Sequence, residues 1–157
     1  MQKTDIRKGQ ILQYEGDLHS KVFYVTSGLL RSYTIDKNGK EHIFMFAPEG
    51  WVIADAQPAD VACDLFIDAL EDSTVSVIDK ESEHINHDEA KLIKRISILQ
   101  KRIIMLLSSS AIERYDYFLE TYPGISQRVP QKMIASFIGI TPQALSTLRK
   151  DRAAGKK

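Results

Sequence analysis

The residues best suited to chemistry lie together in the stretch TPQALSTLRK, residues 141–150. Gln143 can make a bidentate hydrogen bond to adenine in a major groove. Ser146 and Thr147 offer small hydroxyls, and Arg149 and Lys150 suit phosphate. Leu145 and Leu148, three apart, would face inward and leave Pro142, Gln143, Ser146, Thr147, Arg149 and Lys150 on the outer face of one helix. The chemistry implied is recognition of nucleic acid, not bond making.

A recognition helix needs a partner helix to hold it, and residues 131–141 read as that partner and its turn. With Gln131 as first position, Ile134 and Ile138, four apart, face the core. Ala135 falls where two helices cross, and a larger side chain would hold them apart. Gly139 falls at the turn, where a positive φ is needed. Ile140 plugs the turn into the core. Thr141 can cap the second helix, with Pro142 at its first position, where a missing N–H costs nothing. Small polar groups at the start of the second helix and bases at its end suit a groove between phosphates. The competing reading is a helical hairpin that only closes a core.

Other reactive side chains form no such constellation. No Ser-His-Asp pattern, Gly-rich phosphate loop or nucleophile elbow is present. His19, His42, His84 and His87 lack tight metal-ligand spacing. His84 and His87, beside Asp88 and Glu89, read as a solvated helix end. A cupin-type metal site would need His-x-His, and KEHIFMF offers one His. Arg31 projects from a strand and could meet an acidic effector or pair with an Asp or Glu on the surface. Trp51 reads as packing on the sheet, and Cys63 as a small buried apolar residue. That single cysteine allows no internal disulfide and no iron–sulfur cluster held by four cysteines of one chain. No metal and no cofactor are expected.

The 157 residues allow one ordinary domain or two small ones. No apolar run approaches the ~20 residues of a membrane span. The opening MQKTDIRKGQ has no apolar core, so no secretory signal is expected and the cytoplasm is the default location. The net charge of +0 conceals a division. Residues 1–89 hold 8 Lys+Arg and 17 Asp+Glu, whereas residues 90–157 hold 13 and 4. An acidic half and a basic half imply two modules with different partners.

The patterning divides at the same place. VFYVTSG, LLRSYTI, KEHIFMF and TVSVID read as short strands within residues 10–79. Asn38-Gly39 marks a hairpin over residues 29–46. Gly16, Gly28, Gly39 and Gly50 recur every 11 or 12 residues, the rhythm of an antiparallel sandwich or barrel. From about Glu81 to Ser110 the period becomes helical. Leu92, Ile96, Leu99, Ile103 and Leu106 are spaced 4, 3, 4 and 3, an a/d seam that Ile85 extends. This predicts a dimerisation helix with one side on the β-module, set against a wholly intramolecular core helix. Ser108–Ser110 offer a cap for a further helix, with Ile112, Tyr115, Phe118, Leu119 and Tyr122 at helical spacing, stopped by Pro123-Gly124.

IRKGQILQYEGD, VFYVTSGLLRSYTIDKNGKEHIFMFAPEGWVI, ALEDSTVSVI and ERYDYFLETYP…RVPQKMIASFIGITPQALSTLRK together resemble the Crp/Fnr family of bacterial transcription regulators. The resemblance runs over nearly the whole chain. It implies an α+β fold: an N-terminal antiparallel, jelly-roll-like β-roll that senses an effector (1–80), a long dimerisation helix (81–110) and a C-terminal helix-turn-helix domain (111–157). It places Pro142, Gln143 and Thr147 at base-reading positions and Thr141 at a phosphate. Three departures stand out. The family puts a Gly-Glu pair and an Arg-Ser pair between two strands to hold a cyclic nucleotide. Here WVIADAQPADVACDLFIDALEDS stands in that region, with no Arg or Lys between Trp51 and Lys80. A buried phosphate without a cation is costly, so cyclic AMP is not expected to bind in the usual way. The region is also short, and the family's N-terminal helix has no counterpart. Only Asp151–Lys157 are expected to follow the second helix, leaving no room for a β-hairpin wing.

The reading is a homodimeric, sequence-specific DNA-binding regulator and not an enzyme. Its partners would be an inverted-repeat duplex, a second copy, an unidentified small effector and RNA polymerase. The alternative is a cupin-like β-barrel binding protein or enzyme whose helical tail only dimerises it.

Overall fold

The computed structural model describes residues 2–80 and 89–155. The chain divides into two compact units, residues 1–85 and 86–157. The long helix therefore groups with the C-terminal helices.

Among its described residues the first unit holds eight antiparallel strands: β1 (Gln2–Ile6), β2 (Ile11–Gln13), β3 (Lys21–Ser27), β4 (Leu30–Ile35), β5 (Glu41–Ala47), β6 (Val52–Ala54), β7 (Phe66–Ala69) and β8 (Ser73–Asp79). They form two four-stranded sheets, ordered β1-β8-β3-β6 and β2-β7-β4-β5. Phe23, Val25, Ile53 and Val75 from the first sheet and Leu30, Ala47, Ile67 and Ala69 from the second make the core between them. This is the sandwich expected from the glycine rhythm. Gly28 illustrates why glycine is required: its φ is +91°, and a Cβ there would stand 2.6 Å from the Asp72 carbonyl oxygen.

β4 and β5 pair as the expected hairpin. The reversal spans Asp36–Lys40, and the Asp36 carboxylate accepts the amides of Asn38 at 2.9 Å and Lys40 at 3.0 Å. Asn38 keeps a negative φ, so this is not a two-residue Asn-Gly turn. β1 lies outside the expected strand region. QKTDI carries one core residue, Ile6, and pairs with β8 as an edge strand, so its hydrophobic pattern is faint.

The second unit holds α1 (Glu89–Ser108), α2 (Ala111–Thr121), a short 3-10 turn (Ile125–Gln127), α3 (Gln131–Phe137) and α4 (Pro142–Ala153). The expected helical stretch over 81–88, with Ile85, His84 and His87, lies outside the described residues, as does the side chain of Leu92. Ser110 starts α2 with a reciprocal capping box: its amide donates to Glu113 Oε2 at 2.7 Å, and the Glu113 amide donates to Ser110 Oγ at 3.4 Å. Phe118, Tyr122 and Phe137 cluster with ring centroids 5.4–5.8 Å apart. Ile125, Ile134, Ile138 and Leu145 are fully buried around them. No described helix is long and apolar enough to cross a membrane.

Candidate nucleic-acid interface

α3 and α4 form a helix-turn-helix, and each local feature has a physical cause. Gln131 opens α3, preceded by Pro130. Ile134, Ala135 and Ile138 are buried, and the small Ala135 lets the helices approach. Gly139 adopts φ +69°, and the Ile140 amide returns to Ala135 O at 3.0 Å, closing the turn. Ile140 itself is half-buried. Thr141 Oγ1 accepts the Ala144 amide at 3.1 Å, and Pro142 follows at the first helical position.

Leu145 anchors the inner face of α4, and Leu148 is half-buried. Thr141, Pro142, Gln143, Thr147 and Lys150 are exposed, whereas Ser146 and Arg149 are half-buried. Gln143, Thr147 and Lys150 follow at steps of four and three, so one open row carries an amide, a hydroxyl and a cation. Thr147 Oγ1 donates back to Gln143 O at 3.2 Å, which holds that hydroxyl in place. α4 runs further than its sequence suggested. Asp151, Arg152 and Ala153 continue the helix instead of following it. Arg152 pairs with Asp116 of α2 and lies 5.9 Å from the Tyr115 ring, so this cation braces the unit internally.

α1 divides its surface between two environments. Met105 is buried, and Arg102 lies 4.1 Å over the Phe137 ring of α3. Burial lowers the Arg102 pKa, partly offset by Tyr122 and Tyr117. Leu106 is half-buried against the turn at Gly139. The other described large apolar side chains of α1 stand open: Ile93, Ile96, Ile98, Leu99, Ile103, Ile104 and Leu107, of which Leu107 is 81% exposed. The open stripe is thus centred on Ile96 and Ile103, turned away from Leu106. Sequence reasoning missed Arg102 and the inward lean of Leu106, since both depend on where α3 packs.

Arg31 is not on the surface. It is 6% exposed, on the sheet face opposite the core. Its Nε and Nη2 donate to Asp68 at 2.8 and 2.9 Å, and its Nη1 to Glu41 at 2.5 Å. Burial alone would lower its pKa, but hydrogen bonds and charge from Asp68 and Glu41 outweigh this and hold it above the usual arginine value. Its guanidinium also lies 4.1 Å over Tyr33. The pairing partners are Asp68, buried with it, and Glu41, whose side chain is 42% exposed. Trp51 is 37% exposed at the β5–β6 turn, so it packs only in part. Cys63 is buried, and its thiol donates to Tyr14 O at 2.9 Å. His42 pairs with Asp36 at 2.9 Å. Among the described residues no group of His, Cys, Asp or Glu could hold a metal ion.

The acidic loop after β6 is closed by its own first residue. Asp55 accepts the amides of Gln57 at 2.8 Å and Asp64 at 2.9 Å. Lys80 Nζ donates to Ser20 Oγ and Gln57 O, each at 2.6 Å. Burial lowers the Lys80 pKa, while Asp55 and Cys63 act to raise it.

Against known proteins, the family model described as "Cyclic nucleotide-binding domain" matches residues 3–83. The chain belongs to that family. It is similar to the regulatory protein HlyX of Actinobacillus pleuropneumoniae, at 26% identity over 93% of this chain and 69% of that protein. It is similar to the fumarate and nitrate reduction regulatory protein of Vibrio cholerae, at 30% identity over 93% of this chain and 66% of that one. Its fold is that of solved Crp/Fnr-type structures. FixK2 from Bradyrhizobium japonicum superposes with a TM-score of 0.77 at 19% identity, covering 98% of this chain and 85% of that one. A Crp/Fnr-family regulator from Thermus thermophilus gives 0.79 at 14% identity, covering 98% and 87%. Both relatives carry the names of regulators, which speaks against the cupin-like enzyme alternative.

The family name raises the question of a cyclic nucleotide, and the described residues do not fit one. Arg31 lies on the outer sheet face, engaged by Asp68 and Glu41. Lys80 is engaged by Ser20 and Gln57. The stretch between Trp51 and Lys80 supplies no other cation.

Proposed function

We propose that this family member is a homodimeric, sequence-specific DNA-binding transcription regulator whose β-roll senses an effector other than cyclic AMP. The observation that carries the reading is the α4 row: Gln143, Thr147 and Lys150 exposed on a capped helix, backed by fully buried Leu145. In this reading Gln143 and Thr147 meet base edges, with Pro142 and Ser146 beside them. Thr141, Arg149 and Lys150 meet phosphate. The relatives carry regulator names, which supports the same role.

The open stripe of α1 is the dimer surface. Ile96, Leu99 and Ile103 of the a/d seam form it, and Ile93, Ile104 and Leu107 widen it. The inward lean of Leu106 shifts the seam toward Leu107. A parallel two-fold pairing would present two α4 helices to one face of a duplex. RNA polymerase is the further partner such a regulator would address.

Selection from random duplexes tests this. The enriched sites should be inverted repeats with half-sites about one helical turn, roughly 34 Å, apart. Recovery of no enriched sequence would contradict the reading.

A further inference from the structure

Thr147 spends its hydroxyl on its own helix. Its Oγ1 donates to Gln143 O, one turn back, at 3.2 Å. The hydroxyl has a single proton, so it cannot also donate to a base edge. With Oγ1 turned onto the preceding turn, the methyl group Cγ2 is what this exposed residue offers to a partner. Its surroundings have the same character. Pro142 and Ala144, on either side of Gln143 in the chain, are exposed and apolar. Ser146 is half-buried, and its hydroxyl singles out no base. Pro142–Leu148 hold no Arg or Lys. Arg149 stands about 200° round the helix from Thr147 and is half-buried. Arg152 is engaged by Asp116. Lys150, in the third turn, is the first exposed cation of α4.

We propose that Thr147 reads thymine: its methyl group packs on a thymine C5-methyl, close to an adenine that Gln143 holds through N6 and N7. The proposal rests on reading α4 as the recognition helix, and it names the base pairs that the helix prefers. In the major groove the C5-methyl of thymine is matched by apolar groups such as a Thr methyl. Guanine presents two acceptors, N7 and O6, which suit the paired N–H groups of Arg or the ammonium of Lys. The first two turns of α4 offer neither. Thr147 cannot supply a proton in their place without giving up its bond to Gln143 O. Its Oγ1 keeps lone pairs for an N–H of cytosine or adenine, and the test separates that contact from the methyl contact. Gln143 and Thr147 are four residues apart, about 6 Å along the helix axis. Stacked base pairs are about 3.4 Å apart, so the two contacts fall within roughly two base-pair steps. The part of each half-site under the first two turns is therefore A·T, and G·C pairs lie outside the reach of Gln143 and Thr147. Asp151, exposed four residues beyond Thr147, is repelled by phosphate, which favours entry of the helix by its first turns.

The test compares thymine with deoxyuridine, which pairs alike and lacks only the C5-methyl. The full chain is titrated by anisotropy against the site enriched from random duplexes, with each thymine of the half-site replaced in turn. At one position the replacement should weaken wild-type binding about fourfold per half-site, the worth of one buried methyl group. Thr147→Ser keeps the hydroxyl and removes the methyl, so at that position it should bind thymine and deoxyuridine equally. Thr147→Val keeps a methyl and removes the hydroxyl, so the preference for thymine should persist. The side chain is exposed, so neither change disturbs the buried face of α4. A methyl preference at no thymine, or at none that Thr147→Ser abolishes, would overturn the proposal. So would its loss in Thr147→Val, which would assign the contact to the hydroxyl. An enriched site bound without any methyl preference removes this proposal alone. Failure to enrich any site removes the regulator reading and the proposal with it.

Discussion

Leu106 of α1 packs on the turn of the helix-turn-helix: its Cδ2 lies 3.5 Å from where a Cβ on Gly139 would stand. Arg114 Nη1 lies 3.4 Å from the same point and donates to Ile138 O at 3.4 Å. The helix with the open apolar stripe therefore also fixes the turn that aims α4. Gly139→Ala meets both the positive φ of +69° and these neighbours. The expected cost is about 1–2 kcal/mol, read as a lowered denaturant midpoint. An unchanged midpoint would show that the turn relaxes freely.

The stripe itself makes a second prediction. Ile103 is 57% exposed at its centre. In a two-fold dimer, Ile103→Glu would set a carboxylate near its own copy at the axis. Sedimentation at micromolar concentration should show dimers for wild type and monomers for the variant. A monomeric wild type would remove the dimer reading.

The buried Arg31–Asp68 pair makes a third. Asp68→Ala leaves Arg31 buried with Glu41 as the remaining acidic partner shown, and should destabilise the β-roll by about 3 kcal/mol. Replacing both, as Arg31→Met with Asp68→Leu, should restore most of the loss, because matched apolar groups need no partner. A double variant no more stable than Asp68→Ala would show that the pair does more than satisfy itself.

Acid gives a fourth. The Asp36 carboxyl is lowered to about 2, first by its hydrogen bond with His42 and then by the amides of Lys40 and Asn38. A depressed carboxyl contributes stability that is fully present above its unfolded pKa, about 3.9, and lost as pH falls toward 2. The hairpin tip should thus hold at pH 5 and loosen between about pH 4 and 2. Carboxyl-carbon chemical shifts across that range would show it. An Asp36 midpoint near 4 would contradict the turn geometry.

What could be read from the sequence was local. Thr141, Pro142 and Gly139 act within a few residues of themselves, so cap, first turn and reversal were legible. Ser110 and Pro123 marked the ends of α2 for the same reason. What stayed hidden depends on distant neighbours. Arg31 looks like a surface cation until β7 brings Asp68 beside it. Leu106 fits the heptad as well as Ile103 does, and only the packing of α3 turns it inward. β1 carries one core residue, and its strand is set by pairing with β8, remote in sequence.

The central claim, that α4 reads DNA, is tested most directly by anisotropy of two variants on the selected site and on random duplex across a salt series. Gln143→Ala should cost about 1–3 kcal/mol on the selected site and change little on random DNA. Lys150→Ala should weaken both and reduce the salt slope by about one unit. Binding to every sequence that is unchanged in both variants would mean that α3 and α4 only close a core, and the regulator reading would fail.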